Sequence, residues 1–191
     1  VLYGRIAMKS AEQVKGAIRN LAKKTGANPN SLLQMCLFEG ILEKICKSPY
    51  REKFILKGGL LISALIGVEN RCTIDMDTTI KGLPMERVIL RRVFQEILSY
   101  PSESEITYAL DNLALIREDD IYGGYCVGIN CYFGRVRAKL KIDITTDDAI
   151  TPHEVLYNYP RMFGGESIPI LSYPVETVLA EKFETITSRN L

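Results

Sequence analysis

The chain has 191 residues, 47% apolar and 25% charged, with a formal net charge of +1. That balance supplies enough apolar surface for a buried core, and it excludes a disordered charged tail or a protein held to nucleic acid by a global positive field. Five cysteines, Cys36, Cys46, Cys72, Cys126 and Cys131, form an odd set without a C-x-x-C pair, which argues against a disulfide framework or a zinc knuckle.

In chain order, Ser10 caps a predicted helix in which Ala11, Val14, Ala17, Ile18 and Leu21 recur at three- and four-residue steps, with Gly26 and Asn28-Pro29 ending it. Asn30 or Ser31 opens a second helix carrying Leu33, Leu37, Phe38, Ile41, Leu42 and Ile45, stopped near Ser48-Pro49. Phe54 to Leu56 is an apolar run too short to separate strand from buried helix. Gly58-Gly59 then breaks the direction, and Leu60 to Ile66 reads as a helix closed by Gly67. Ile74 to Thr79 reads as a strand, and Pro84 to Leu98 as an amphipathic helix with Pro84 in its first turn and Pro101 as its stop.

Strand signals dominate the rest of the chain. Ile106, Tyr108 and Leu110 alternate with polar residues, and Leu113, Leu115 and Ile116 continue toward the acidic turn Glu118-Asp119-Asp120. Tyr125 to Phe133 and Arg135 to Thr145 are separated at Gly134, which suits a tight hairpin. In the second of these, Val136, Ala138, Leu140, Ile142 and Ile144 take one face and Arg135, Arg137, Lys139, Lys141 and Asp143 the other. Thr151 to Glu154 reads as a helix start, and a loop marked by Gly164, Gly165, Pro169 and Pro174 leads to a helix from Val175 past Glu184. The fold class expected is α+β, with residues 1–50 a helical cap packed on a domain of residues 51–191. The apolar runs fall short of the ~20 residues of a membrane span, and the thiols read as reduced cytoplasmic cysteines.

The stretch RCTIDMD, residues 71–77, carries the chemistry. On a strand, Asp75 and Asp77 share one side about 6.6 Å apart at Cα. Two carboxylates within ~4 Å repel by about 4 kcal/mol at an effective dielectric near 20, so the pair calls for a cation. Few oxygen ligands on a rigid strand suit Mg²⁺ that keeps waters and borrows substrate phosphate oxygens. A third acid on another strand would allow two ions, and Asp143 in KIDI is the best placed. Gly58-Gly59 at a helix start would offer N–H groups and the positive dipole end to a polyphosphate, although neither a Walker A loop nor a G-x-G-x-x-G motif is present. A calcium loop beginning at Asp75 fails at its sixth position, where Ile80 replaces the glycine. His153, the only histidine, finds no serine and aspartate arrangement around it, and Cys72 reads as packing.

Paired glycine, spacer, apolar-Asp-apolar-Asp and a later apolar-Asp-apolar strand together resemble the nucleotidyltransferase superfold shared with DNA polymerase beta. The chain is more closely similar to the AbiEii family, nucleotidyltransferase toxins of type IV toxin–antitoxin systems. The segments KSPYREKFILKGGLLISALIG, RCTIDMDTTIKG, RVRAKLKIDIT and YPVETVLAEKFETITSR carry that likeness in the same order. The resemblance implies a mixed, mostly antiparallel twisted sheet flanked by helices. It implies transfer of a nucleoside monophosphate from an NTP to an RNA acceptor, with tRNA 3′ ends the known acceptor class, two Mg²⁺ ions, and a cognate antitoxin as partner. By motif match Asp75, Asp77 and Asp143 are the metal ligands and Lys182 the active-site lysine of the A-E-K helix. Lys57, Gly58, Gly59, Thr73 and Lys141 are the candidate nucleotide-binding residues. The family continues beyond that helix into a further acidic stretch, so the domain is expected to lack its C-terminal helical part. A small hydroxylated acceptor, such as an antibiotic, and a non-catalytic nucleotide-binding module are the alternatives.

Overall fold

The structure is a computed structural model, and it describes residues 10–68, 73–116, 124–146 and 149–189. Cys72 and the acidic turn at Glu118-Asp119-Asp120 lie outside the described residues. The described elements, in chain order, are α1 (Ala11–Thr25), α2 (Pro29–Lys47), β1 (Phe54–Lys57), α3 (Gly58–Ile66), β2 (Met76–Ile80) and α4 (Arg87–Ser99), followed by β3 (Thr107–Leu115), β4 (Tyr125–Phe133), β5 (Val136–Thr145), β6 (Val155–Tyr159), β7 (Ile168–Ser172) and α5 (Val175–Arg189).

The strands form one seven-stranded mixed sheet in the order β3-β4-β5-β2-β1-β7-β6. β5 runs parallel to β2 and β1 parallel to β7, and the other four neighbouring pairs are antiparallel. Long connections supply the parallel pairs, because a short hairpin can only join antiparallel neighbours.

Local chemistry sets the helix ends. Ser10 and Gln13 form a capping box on α1, and Gly26, at φ 74°, closes it with its N–H donated to the Ala22 carbonyl. Asn28, read from sequence as part of the stop of α1, instead caps α2 by accepting the Asn30 N–H, and Pro29 takes the first helical position, where a missing N–H costs nothing. Pro84 stands three residues ahead of α4, which begins at Arg87 behind an extended Glu86.

The apolar core draws on nearly every element. Leu37, Phe38, Ile41 and Leu42 of α2 are sealed off together with Phe94 and Ile97 of α4, Val127 and Ile129 of β4, and Ile142 and Ile144 of β5. Gly40 lets the Tyr108 ring from β3 lie against the α2 backbone, where the Tyr108 hydroxyl donates to the Leu37 carbonyl at 2.8 Å. The Lys44 ammonium is buried and donates to the carbonyls of Leu98 (3.1 Å) and Tyr100, so a cation closes the C-terminal end of α4.

The structure corrects several expectations. Asp75 precedes β2, which starts at Met76, so the two acids of RCTIDMD do not share one strand. β3 continues through Asn112 by a bulge between Leu110 and Asn112, which absorbs the break in alternation. Thr151 to Glu154 leads into β6 and opens no helix, and Pro169 sits inside β7, not in a loop. Proline is tolerated there because β7 meets β1 only at Leu171 and Ser172, leaving Pro169 paired on the β6 side alone.

Candidate active site

Strand register assembles the site. Lys57 on β1 lies opposite Asp77 on β2, Asp77 opposite Asp143 on β5, and Asp143 opposite Cys126 on β4. Residues directly opposite across a sheet put their side chains on the same face, so one row reads cation, carboxylate, carboxylate, thiol. Each acid alternates with buried neighbours facing the other way, Met76 and Thr78 on one strand and Ile142 and Ile144 on the other, and that alternation aims both carboxylates to one side.

The glycine pair makes room for the first acid. Gly58 turns the chain from β1 into α3 at φ 68°, in the left-handed region, and any Cβ there would overlap the Asp77 carboxylate. A Cβ on Gly59 would stand 2.6 Å from Thr73 Oγ1. The Gly59 N–H is donated to Asp77, so one helix N-terminal donor expected to be free for phosphate is shared with a carboxylate. Thr73 Oγ1 in turn accepts the Asp75 N–H at 3.4 Å, bringing the exposed Asp75 to the mouth of the site.

The electrostatics reflect this crowding. Burial pushes the Asp77 carboxyl above its ordinary range, and the charges of Asp143 and Asp75 push it the same way, while the Gly59 N–H and the Lys57 ammonium pull it down. Desolvation, helped by the hydrogen bond its thiol donates to Asp143, lifts Cys126 to about 11, so this sulfur is a thiol and no nucleophile at neutral pH.

Behind the row a hydroxyl network braces the adjacent cation. Lys57 Nζ donates to Thr145 Oγ1 at 2.9 Å and lies 5.5 Å from the centre of the Tyr173 ring. The Tyr173 hydroxyl and Thr79 Oγ1 are 2.7 Å apart, and the Thr79 and Thr145 hydroxyls 3.4 Å. Sequence patterns single out neither Tyr173 nor Cys126 for this site. Only the register that sets β4 beside β5, and the turn from β7 into α5, could have pointed to them.

Of the residues expected at the site, the structure brings together Lys57, Gly58, Gly59, Thr73, Asp75, Asp77 and Asp143. Lys141 lies two residues before Asp143 on the same face and is exposed. Lys182 is exposed on α5, and among the described residues no hydrogen bond or ion pair joins it to the acids. Among the described residues, no three His, Cys, Asp or Glu side chains converge tightly enough to hold a metal ion by themselves. The donor set is nevertheless all oxygen and like-charged. That fits Mg²⁺, which takes one or two carboxylates and completes its shell with water and phosphate oxygens.

Carboxylates paired on adjacent strands beside a glycine-opened helix form the arrangement of a nucleotidyltransferase as a class. The sequence profile of the family described as nucleotidyl transferase AbiEii toxin, type IV TA system, matches residues 40–191, and the chain belongs to that family. Among solved structures it is similar to a candidate nucleotidyltransferase from H. pylori, at 18% identity and a TM-score of 0.49 over 82% of this chain. It is also similar to JHP933 from Helicobacter pylori, at 18% identity and a TM-score of 0.49 over 81% of this chain. The chain spans 59% and 56% of the lengths of these two structures. No curated protein matches. No described helix is long and apolar enough to cross a membrane.

Proposed function

We propose that this chain is a Mg²⁺-dependent nucleotidyltransferase toxin that passes a nucleoside monophosphate from an NTP to an RNA acceptor, the 3′ end of a tRNA, and is neutralised by a cognate antitoxin protein. The observation that carries this reading is the direct pairing of Asp77 with Asp143 across β2 and β5. Two acids held side by side on rigid strands, one with its proton affinity raised by burial and by the other's charge, form a site whose charge is completed by a cation.

In this reading Asp77 and Asp143, with Asp75 at the mouth, hold Mg²⁺. When bound there, such an ion would neutralise the triphosphate and acidify the acceptor hydroxyl. The chain's own residues do the positioning. Gly58 and Gly59 let Asp77 and Thr73 close on the α3 N-terminus, whose dipole favours added negative charge beside the acids. Lys57, braced by Thr145 and Tyr173, offers a fixed ammonium beside the acids, and Thr73 orients Asp75. Lys141 and Lys182 are the outer cations for triphosphate. Positioning and electrostatics account for the rate.

The test is transfer of label from each α-labelled NTP, with Mg²⁺, to total tRNA or to small hydroxylated acceptors. Asp77→Asn and Asp143→Asn should each lower transfer to tRNA by at least about 10³-fold while the far-UV circular dichroism stays native. Turnover retained in either variant defeats the mechanism. Label on a small product would reassign the acceptor, and NTP binding without transfer would leave a non-catalytic module.

A further inference from the structure

We propose that the open face of β3-β4-β5 is a track for a single-stranded RNA end, with Arg137 and Lys139 taking successive phosphates, Lys141 standing where the track meets the triphosphate, and Tyr132 stacking a base; this rests on the RNA-acceptor reading above. The three cations occupy alternate positions of β5 on its exposed face, the face that Asp143 also occupies. Their step of about 6.8 Å per two residues is close to that between neighbouring phosphates of an extended single strand. The row has a direction, since it ends two residues beyond Lys141 at the acid pair.

The neighbouring strands leave the row accessible. Gly128, opposite Lys141, has no side chain, and the Asn112 amide lies over it. Ala109, Asn112 and Ala114 of β3 are exposed. Tyr132, opposite Arg137, is 38% exposed, and the Arg137 guanidinium stands 5.0 Å from its ring centre. Arg137 Nη1 donates to the carbonyls of Gly134 and Val136, both at 3.0 Å, so the exposed guanidinium is held at the turn. Exposed aromatic and cation side by side make a platform for a base and its phosphate.

Lys139 is paired with Asp111, whose Oδ2 it reaches at 3.1 Å, while Asn130 Nδ2 donates to Oδ1 at 3.1 Å. The two side chains are 75% and 35% exposed, and such a pair contributes little, so a phosphate can displace the carboxylate. An acidic protein fits this face less well, because it would carry its charge into Asp75, Asp77 and Asp143. A nucleic-acid 3′ end brings phosphates to the bases and an uncharged hydroxyl to the acids.

The experiment measures binding of a 5′-fluorescein single-stranded oligoribonucleotide to the full chain by anisotropy over a salt series, without NTP, and separately measures NTP binding. Arg137→Ala/Lys139→Ala should weaken RNA binding about tenfold at low salt and flatten the slope of log affinity against log salt by about 1.4, two phosphate contacts at ~0.7 each. Tyr132→Ala should cost about tenfold with the slope unchanged, and Asp111→Asn should tighten binding. Lys23→Ala/Lys24→Ala, at the end of α1, should change neither, and NTP binding should be untouched throughout. Wild-type affinity and slope in the Arg137/Lys139 variant, an equal loss in the α1 control, or no RNA binding by the wild-type chain each overturns the track. RNA binding that depends on these residues in a chain that transfers no nucleotide upholds the track and defeats the catalytic reading.

Discussion

At the scale of single residues, Gly58 and Asp77 form one unit: the strand contributes a carboxylate and the turn contributes the absence of a side chain. Gly58→Ala meets two penalties, a left-handed backbone that costs a residue with Cβ about 1–2 kcal/mol, and an atom placed where Asp77 now lies. The expected outcome is a loss of roughly 1–3 kcal/mol in denaturant unfolding together with loss of NTP binding. An alanine variant of native stability and native NTP affinity would show that the close approach is irrelevant. The same reasoning separates the two glycines, since Gly59 faces the movable Thr73 side chain and its variant should be the milder. Both glycines are legible in the sequence as a break, but their duty toward Asp77 is not, because it depends on which strand passes over the turn.

At the scale of elements, α2 and the segment between β6 and β7 enclose an acid remote from the site. Glu39 on α2 is buried, accepts the Met162 N–H at 2.8 Å, and lines a cavity of about 80 Å³ with Cys36, Glu43, Glu103 and Arg161. Desolvation pushes its carboxyl up to about 8, against the opposing pull of the Met162 N–H and the Arg161 guanidinium. The native state therefore binds a proton that the unfolded chain has already released above its ordinary value of 4.5. The stability this group contributes is fully present below about 4.5 and is lost as pH rises through about 8. Thermal midpoints of the wild type should decline as pH rises from about 5 to about 8.5, and Glu39→Gln should flatten that decline and be the more stable protein at the alkaline end. Parallel pH profiles for the two proteins would refute the assignment. Arg161 is no substitute counter-ion for Glu39, being engaged by Glu43 at 3.3 Å and Glu103 at 3.9 Å. Nothing in the local pattern warns of this cluster: Glu39 reads as one more polar position on an amphipathic helix until the 161–166 segment closes over it.

At the scale of the whole molecule, one core joins the N-terminal helices to the sheet. Val14 and Ile18 of α1, the buried apolar positions of α2 from Leu32 to Ile45, and Val178 of α5 belong with the strands to a single buried cluster. Unfolding in guanidinium should accordingly be one transition, with far-UV circular dichroism and near-UV tyrosine signals coinciding. Separate loss of helix before the tyrosine signal would mean that α1 and α2 fold as an independent cap.

Local chemistry alone determined much of this protein: the capping box and Gly26 bounding α1, the alternation that makes β5 and divides it into an apolar and a basic face, and the glycine pair with its acids. Those features depend on neighbours within a few residues, where propensity and periodicity act directly. Tertiary structure decided which residues meet. The sequence pattern sets Asp77 beside Asp75, yet its partner across the sheet is Asp143, far along the chain, because β5 enters next to β2 in parallel. Pro169 became a strand residue because β1 stops short of it, and Cys126 and Tyr173 joined the site through strand order and the turn into α5. Register is set by how opposing apolar faces bury one another, and that selection exists only once the strands are side by side.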